Sequence, residues 1–180
     1  MTQTSHLKST AITGLDAQPV VQPTSGQGGP ANLKSLSAYI ATVSADATGS
    51  TYQMVRVPTT AVLKHAWFAA DAMTGGKFQI SVYYSDSTTD GTASANQGVV
   101  VPSTGAAFIS GDIDCSSAVA WTDELGANSG GWTKDLINTP LWSALGLASD
   151  PGGYFDIVLV CHTTAVTTGA KAVLQVDYSY

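Results

Sequence analysis

The sequence predicts an all-β domain, and three observations support that prediction. Ser and Thr, with 19 and 22 residues, make up about 23% of the 180-residue chain, and charged residues only 11%, against about 25% in typical domains. Glu124 is the single glutamate, and this composition disfavours long exposed helices and suits strand faces. Short segments of alternating apolar and polar residues recur between turn signals. We therefore expect a jelly-roll-like antiparallel β-sandwich.

The predicted strands begin at Leu33 and continue to the end of the chain. In KFQISVYY the alternation is clearest, with Phe78, Ile80, Val82 and Tyr84 on one face. In LKSLSAYIATV the same pattern puts Leu36, Ala38 and Ile40 on one face. The remaining strand-like segments are TYQMVRV, VLKHAWFAA, GVVV, AAFIS, AVAW, YFDIVLVCHT and KAVLQVDYSY. The last two are the strongest, and we assign residues 33–180 to one β-sandwich domain.

One short helix is expected within the strand pattern, at NTPLWSALGL. Thr139 is a suitable N-cap, Pro140 suits the first helical position, and Gly146 suits the C-terminal stop. The helix should cover one end of the sandwich.

Residues 1–32 differ from the rest and are interpreted as an extended N-terminal arm. This stretch contains Pro19, Pro23 and Pro30 without sustained periodicity, and proline fixes φ and removes a backbone donor. Its apolar patch, formed by Leu7, Ile12 and Leu15, is a candidate contact with a partner protein.

The charge of the chain excludes some classes of partner. The net charge is −6, the sequence pI is about 4.6, and Arg56 is the single arginine. Nucleic-acid binding needs clustered Lys and Arg to neutralise phosphates, and an anionic membrane surface attracts basic segments. We expect neither partner. The N-terminal sequence MTQTSHLKST has no apolar core of a secretory signal, so synthesis in a cytoplasm is expected.

Candidate catalytic and metal-binding groups are sparse, and no enzyme activity or cofactor is expected. The sequence lacks the nucleophile-elbow, zinc-protease, P-loop and dinucleotide motifs. Asp112 and Asp114 would share one face of a strand, but roles at the surface or in capping a turn are favoured. In DSTTDGT, Asp86 and Asp90 lack the spacing of a calcium loop. The two cysteines, Cys115 and Cys161, are expected to be buried free thiols rather than a disulfide.

The four tryptophans offer the most specific candidate contacts. Trp67 and Trp142 fit the periodicity of the core, whereas Trp121 and Trp132 flank the loop TDELGANSGG. We expect Trp121 and Trp132 to be exposed at an interface with protein. Stacking against a glycan and simple packing are the alternatives.

Five segments of the chain resemble a family of small structural proteins of tailed bacteriophages and prophages. Members of this family are head decoration or cement proteins, generally encoded beside the major capsid protein. The segments are LKSTAITGLDAQP, VRVPTTA, GKFQISVYYSDSTTDGT, DIDCSSAV and PLWSALGLASDPGGYFDIVLVCHTTAVTTGAKAVLQVDY.

The resemblance implies a non-enzymatic virion protein that binds the outer surface of the capsid and stabilises the shell. The major capsid protein would be its partner, and self-association as a trimer is expected. The alternatives are a tail, baseplate or fibre component of the same kind of particle, or a carbohydrate-binding module that uses Trp121 and Trp132.

Overall fold

A computed structural model describes residues 33–42, 48–85, 101, 108–163 and 169–180. These ranges contain eight strands: β1 (Lys34–Ala41), β2 (Thr51–Pro58), β3 (Val62–Ala70), β4 (Lys77–Tyr84), β5 (Ser110–Asp114), β6 (Val119–Asp123), β7 (Tyr154–Cys161) and β8 (Lys171–Ser179). A 3-10 helix (Lys134–Asn138) and one α-helix, α1 (Leu141–Ala144), lie between β6 and β7. The predicted arm lies outside the described ranges, so its boundary with the β domain stays a prediction.

The strands form two antiparallel sheets with a nested pattern of pairing. Their orders are β1-β8-β3-β6 and β2-β7-β4-β5. Within the first sheet β1 pairs with β8 and β3 with β6, and within the second β2 pairs with β7 and β4 with β5. This nesting results when a long antiparallel ribbon wraps into two stacked sheets, which is the topology of an eight-stranded jelly roll. The predicted jelly-roll-like sandwich is confirmed.

The core lies between the two sheets and is built by their inward-facing side chains. Phe68 of β3 and Phe78 of β4 meet there, with ring centroids 6.3 Å apart. The face predicted for β4 is confirmed, because Phe78, Ile80, Val82 and Tyr84 are all buried. The weaker alternation of β1 is also confirmed, with Leu36, Ala38 and Ile40 partly buried against the core.

The two strongest predicted strands, β7 and β8, each lie between two neighbours in their sheet. Nearly every residue of β7 is buried, including those on its outward face such as Asp156 and Val158. Burial on both faces explains why the sequence of β7 is apolar almost without interruption rather than alternating.

A bulge in β3 overturns the prediction that Trp67 lies in the core. The pairing of β3 with β8 shifts between Leu63 and His65, and an extra residue of this kind reverses the facing of the residues after it. Leu63, Ala66 and Phe68 are buried, whereas His65 is exposed and Trp67 half-buried. Trp67 therefore lies on the outer face of its sheet, stacked on His65 with ring centroids 5.4 Å apart.

Helix α1 starts one residue later than expected. Pro140 has extended backbone and is itself the N-cap, and no side chain caps the helix. Thr139 instead ends the 3-10 helix, which the sequence did not reveal. Gly146, with φ of 73°, follows the last turn as predicted. The amides of Leu141 and Trp142 donate to the carbonyls of Ala61 and Thr59, which fixes α1 against the turn that joins β2 to β3. Trp142 is partly buried against the core as expected.

Two of the shorter predicted strands are displaced in the structure. AAFIS was expected to be a strand, but β5 runs over Ser110–Asp114, and AVAW is extended to Asp123 in β6. Of the predicted strand GVVV, only Val101 lies in the described ranges. Tertiary contacts override the poor strand propensity of SGDID, because the loop after β6 packs closely on β5.

Candidate functional site

A cleft of about 800 Å³ lies between β3, the loop of residues 124–133 that follows β6, and the 3-10 helix. Its apolar walls include Leu125, Trp132 and Ile137. Its ionic side chains are Lys64, His65, Asp123 and Lys134. A cleft of this volume is within the range of ligand-binding sites in proteins.

The loop that forms one wall is fixed by hydrogen bonds to β5 and to the segment before it. Backbone amides of Gly111, Gly126 and Trp132 make these bonds, over distances of 2.7–3.1 Å. Asn128 and Ser129 have φ of 51° and 61°, a left-handed conformation that Asn tolerates better than most residues. Gly111 allows the approach, because a Cβ there would overlap the carbonyl oxygen of Asn128.

Glu124, the single glutamate, fastens this loop from within. It is 4% exposed and accepts hydrogen bonds from the hydroxyl of Ser110 at 3.3 Å and the side-chain amide of Asn128 at 2.9 Å. Burial raises the pKa of Glu124 above its ordinary value, against the opposing effect of the bond from Ser110. The loop is therefore rigidly positioned, as a preformed binding site requires.

His65 and Asp123 form the polar floor of the cleft. The Nδ1 atom of His65 lies 2.7 Å from Oδ2 of Asp123, which fixes the orientation of the imidazole. The other oxygen of Asp123 accepts the backbone amides of Ala66 at 3.0 Å and Leu125 at 3.2 Å. Both oxygens of the carboxylate are thus occupied. No hydroxyl or thiol is hydrogen-bonded to His65 within the part of the chain that the structure describes.

The two lysines of the cleft differ in their surroundings. Lys64 donates to the carbonyl of Ile137 at 3.0 Å and to Oδ1 of Asn138 at 3.1 Å, and partial burial lowers the pKa of Lys64. Lys134 is exposed at the rim. Among the described residues its ammonium group has no hydrogen-bond or ion-pair partner.

The predicted contact residues meet different outcomes. Trp121 is 54% exposed, as expected. The exposure expected for Trp132 is wrong: it is 5% exposed and packs edge-on against Phe108, with centroids 5.6 Å apart. Its loop folds back on the segment before β5, which buries the ring while leaving it in the cleft wall. Leu7, Ile12 and Leu15 lie outside the described residues.

Asp112 and Asp114 share the outward face of β5 as predicted, since Ile113 between them is buried. Asp114 caps a turn by accepting the amide of Ser116 at 2.8 Å. Asp112 has basic neighbours that could not be inferred from the sequence: Nδ1 of His162 lies 2.7 Å from its carboxylate and Nζ of Lys77 3.9 Å. The pairing of β4 with β5 and the residue after β7 bring these side chains together, and no local sequence pattern indicated that contact.

Every described carboxylate accepts an intramolecular hydrogen bond. The chain has 13 acidic residues, and Asp16, Asp46, Asp86 and Asp90 lie outside the described ranges, which leaves nine. The donors are backbone amides, hydroxyls, side-chain amides, an indole, Arg56 and the histidines. The nine carboxylates that accept these bonds are those of Asp71, Asp112, Asp114, Asp123, Glu124, Asp135, Asp150, Asp156 and Asp177. The negative charge of these residues is therefore tied into the turns and strands of the domain.

The described residues contain no group of three or more side chains that could hold a metal ion. The DSTTDGT turn, with Asp86 and Asp90, lies outside these residues. Cys115 and Cys161 are buried free thiols, as predicted. None of the helices in the described ranges is long and apolar enough to cross a membrane.

The sequence identified one wall of the cleft but not the residues opposite it. The loop between Trp121 and Trp132, which contains Asp123, was singled out, whereas Lys64, Lys134 and Ile137 were not. Lys64 and Asp123 come together through the pairing of β3 with β6, and no local pattern marks that pairing.

No protein-family model matches the chain, and no curated protein sequence matches it. A solved structure that resembles it is a chain of the cyanophage Pam1 capsid asymmetric unit, with a TM-score of 0.41 and 15% sequence identity. The match covers 92% of this chain and 97% of that chain. A likeness of this size does not bear on function.

Proposed function

We propose that this protein is a non-enzymatic decoration protein that binds the outer surface of a bacteriophage capsid and stabilises the shell. Its partner is the major capsid protein, and copies of the chain associate as trimers. The observation that carries the proposal is the charge arrangement: a net charge of −6 whose described carboxylates all have internal donors.

The net charge supports a position outside the shell. Packaged DNA is a dense array of phosphates, and proteins that contact it neutralise those phosphates with clustered lysines and arginines. This chain has seven basic residues against 13 acidic ones. An interior position beside DNA would therefore be electrostatically unfavourable.

The hydrogen bonds that the described carboxylates accept within the domain support close packing against another protein. Burying an ion at an interface is costly unless the ion is paired and hydrogen-bonded. The carboxylates that have donors within the domain retain these bonds when a partner covers them. The remaining surface is rich in hydroxyls and poor in charge, so that fewer ions lose water on contact.

Exposed apolar side chains supply candidate contact points. Tyr39 on the outer face of β1 is 71% exposed, and Trp121 on β6 is exposed by more than half. Aromatic residues are enriched in the buried centres of protein interfaces. Among the described residues, Leu33, Tyr154 and Tyr180 are exposed in the same way. Leu7, Ile12 and Leu15 in the predicted arm would extend the contact.

Binding would stabilise the shell by mass action. A ligand that binds the assembled shell and not its loosened form adds its binding free energy to the stability of that shell. A trimer multiplies this effect, because each copy contacts an equivalent site.

The test compares particles that lack the protein with particles to which purified protein has been added back. Particles without it should assemble but release DNA at a lower temperature, and added protein should restore the wild-type release temperature. Two variants locate the contact: Trp121→Ala and a chain without residues 1–32 should restore it less, while circular dichroism shows that both remain folded. Unchanged heat resistance without the protein, or labelling on tails alone, would refute the proposal and favour a tail component.

A further inference from the structure

We propose that the cleft between β3, loop 124–133 and the 3-10 helix binds an acidic, partly apolar peptide segment of another protein. This inference is independent of capsid attachment, which can occur through other surfaces.

The charged groups in and beside the cleft differ in whether they have hydrogen-bond or ion-pair partners. Asp123, the carboxylate in the cleft lining, has both oxygens engaged by His65, Ala66 and Leu125. Asp135, next to the cleft, is held by the hydroxyl of Thr133. Lys134 is the ionic side chain of the lining that has no partner among the described residues. Lys134 therefore has no carboxylate partner in the cleft, and a ligand could supply one.

The walls of the cleft favour an occupant with apolar side chains. Leu125, Trp132 and Ile137 present apolar surface, and Gly126 and Gly130 contribute no side chains that would fill the space. A small inorganic anion would leave this surface wet, whereas aliphatic side chains beside a carboxylate would cover it. A sugar would need acceptors as well as donors, and the carboxylate oxygens of the lining are already used.

The cleft is open at its rim and rigid at its opposite wall. Thr133, Lys134 and Ile137 at the rim are exposed, so an occupant can continue into solvent as the rest of a chain. The opposite wall is held by Glu124 and by backbone bonds to β5. A preformed site loses little conformational freedom on binding, which favours affinity.

The experiment uses the 15N-labelled full-length protein and two blocked peptides, Ac-Leu-Glu-Leu-Leu-NH2 and Ac-Leu-Gln-Leu-Leu-NH2. Titration followed by NMR should shift the indole resonance of Trp132 and the amides of Leu125 and Gly126. The Glu peptide should bind up to about fivefold more tightly than the Gln peptide, the upper end of the range for one exposed ion pair. Lys134→Gln should remove that difference.

Lys171→Gln is the matched control, because Lys171 is also exposed but lies far from the cleft. His65 in the cleft pairs with Asp177 of β8, and Lys171 is six residues before Asp177, which is about 20 Å along the strand. Lys171→Gln should leave the preference for Glu intact. Ile137→Ser should weaken both peptides equally. Equal binding of the two peptides, shifts confined to other surfaces, or loss of the preference in Lys171→Gln would overturn the proposal. Tighter binding of free 4-phenylbutyrate than of the Glu peptide would also overturn it, in favour of a small-molecule acid.

Discussion

The side-chain amide of Asn128 donates a 2.9 Å hydrogen bond to the carboxylate of Glu124, four residues earlier. Asn128 reaches this position through a left-handed backbone conformation, and Glu124 receives a second bond from Ser110 on β5. The pair thus ties loop 124–133 both to itself and to the sheet. The same arrangement keeps an ionisable group out of water, which makes the stability of the domain dependent on pH.

Glu124→Gln should flatten the pH dependence of stability above pH 4.5. Because burial raises the pKa of Glu124 from its ordinary value of 4.5, the folded state holds its proton to higher pH than the unfolded chain does. This group therefore lowers the free energy of unfolding as pH rises through that interval. Urea unfolding between pH 4 and 7 measures the slope.

Asp114→Asn is a control, because Asp114 changes the free energy of unfolding with pH in the opposite direction to Glu124. The backbone amide of Ser116 lowers the pKa of Asp114 below its ordinary value of 3.8, so its contribution is present above pH 3.8 and is lost as pH falls through the lowered pKa. Removing it should reduce stability at neutral pH. A Glu124→Gln variant with the same slope as the wild type would contradict the effect of burial on Glu124.

Arg56→Gln should destabilise the domain by about 2 kcal/mol, because it leaves a buried carboxylate without its cation. Arg56 donates to both oxygens of Asp156, at 2.6 and 3.0 Å. The carboxylate is nearly inaccessible, while the arginine is 41% exposed, which reduces the cost below that of a fully buried pair. Denaturant unfolding of both single variants and of Arg56→Gln with Asp156→Asn gives the coupling energy.

The double variant should cost less than the sum of the single ones. The longer, more exposed pair of Lys77 and Asp112, at 3.9 Å, serves for comparison and should couple by less than about 1 kcal/mol. Additive effects at Arg56 and Asp156 would mean that their contact contributes nothing to stability.

Gly111→Ala should destabilise the domain by about 3 kcal/mol through overpacking. The added methyl group would overlap the carbonyl oxygen of Asn128, so β5 and loop 124–133 would have to separate. Gly169→Ala meets no atom within 4 Å but has φ of 81°, so it should cost only about 1 kcal/mol from backbone strain. Thermal unfolding compares the stability of the two variants. A loss of stability in Gly111→Ala no larger than that in Gly169→Ala would show that loop 124–133 moves away from β5 at little cost.

Both thiols should resist iodoacetamide in the native protein at pH 8 and react fully in guanidinium. Cys115 and Cys161 are buried, and burial raises the pKa of Cys115 to about 12, so the reactive thiolate is suppressed. Mass spectrometry counts the labelled sites. A native protein labelled at Cys115 as fast as the unfolded chain would show that the residue is accessible.

The same shift predicts a loss of stability at high pH. The unfolded chain ionises its thiol above the ordinary value of 9.0, whereas the folded state does so only near 12. The free energy of unfolding should therefore fall across this interval. Cys115→Ala should lack this part of the decrease, while the contributions of lysines and tyrosines remain in both proteins.

The sequence determined the fold class, because strand alternation is a local property. In β4, four apolar residues at every second position place Phe78 and Tyr84 on the same buried face, and no distant contact is needed to read that pattern. Composition likewise determined the net charge and the scarcity of basic clusters. The buried state of Cys115 followed from its position among strand-like residues.

Tertiary structure decided what local patterns do not contain. The bulge in β3 turned outward Trp67, which the local periodicity assigned to the core. The return of loop 124–133 onto β5 and the segment before it buried Trp132, which the sequence placed in an exposed loop. Pairing of strands far apart in the chain brought His65 to Asp123 and His162 to Asp112. Such contacts depend on which strands become neighbours, and that choice is made by packing of the whole core rather than by any one segment.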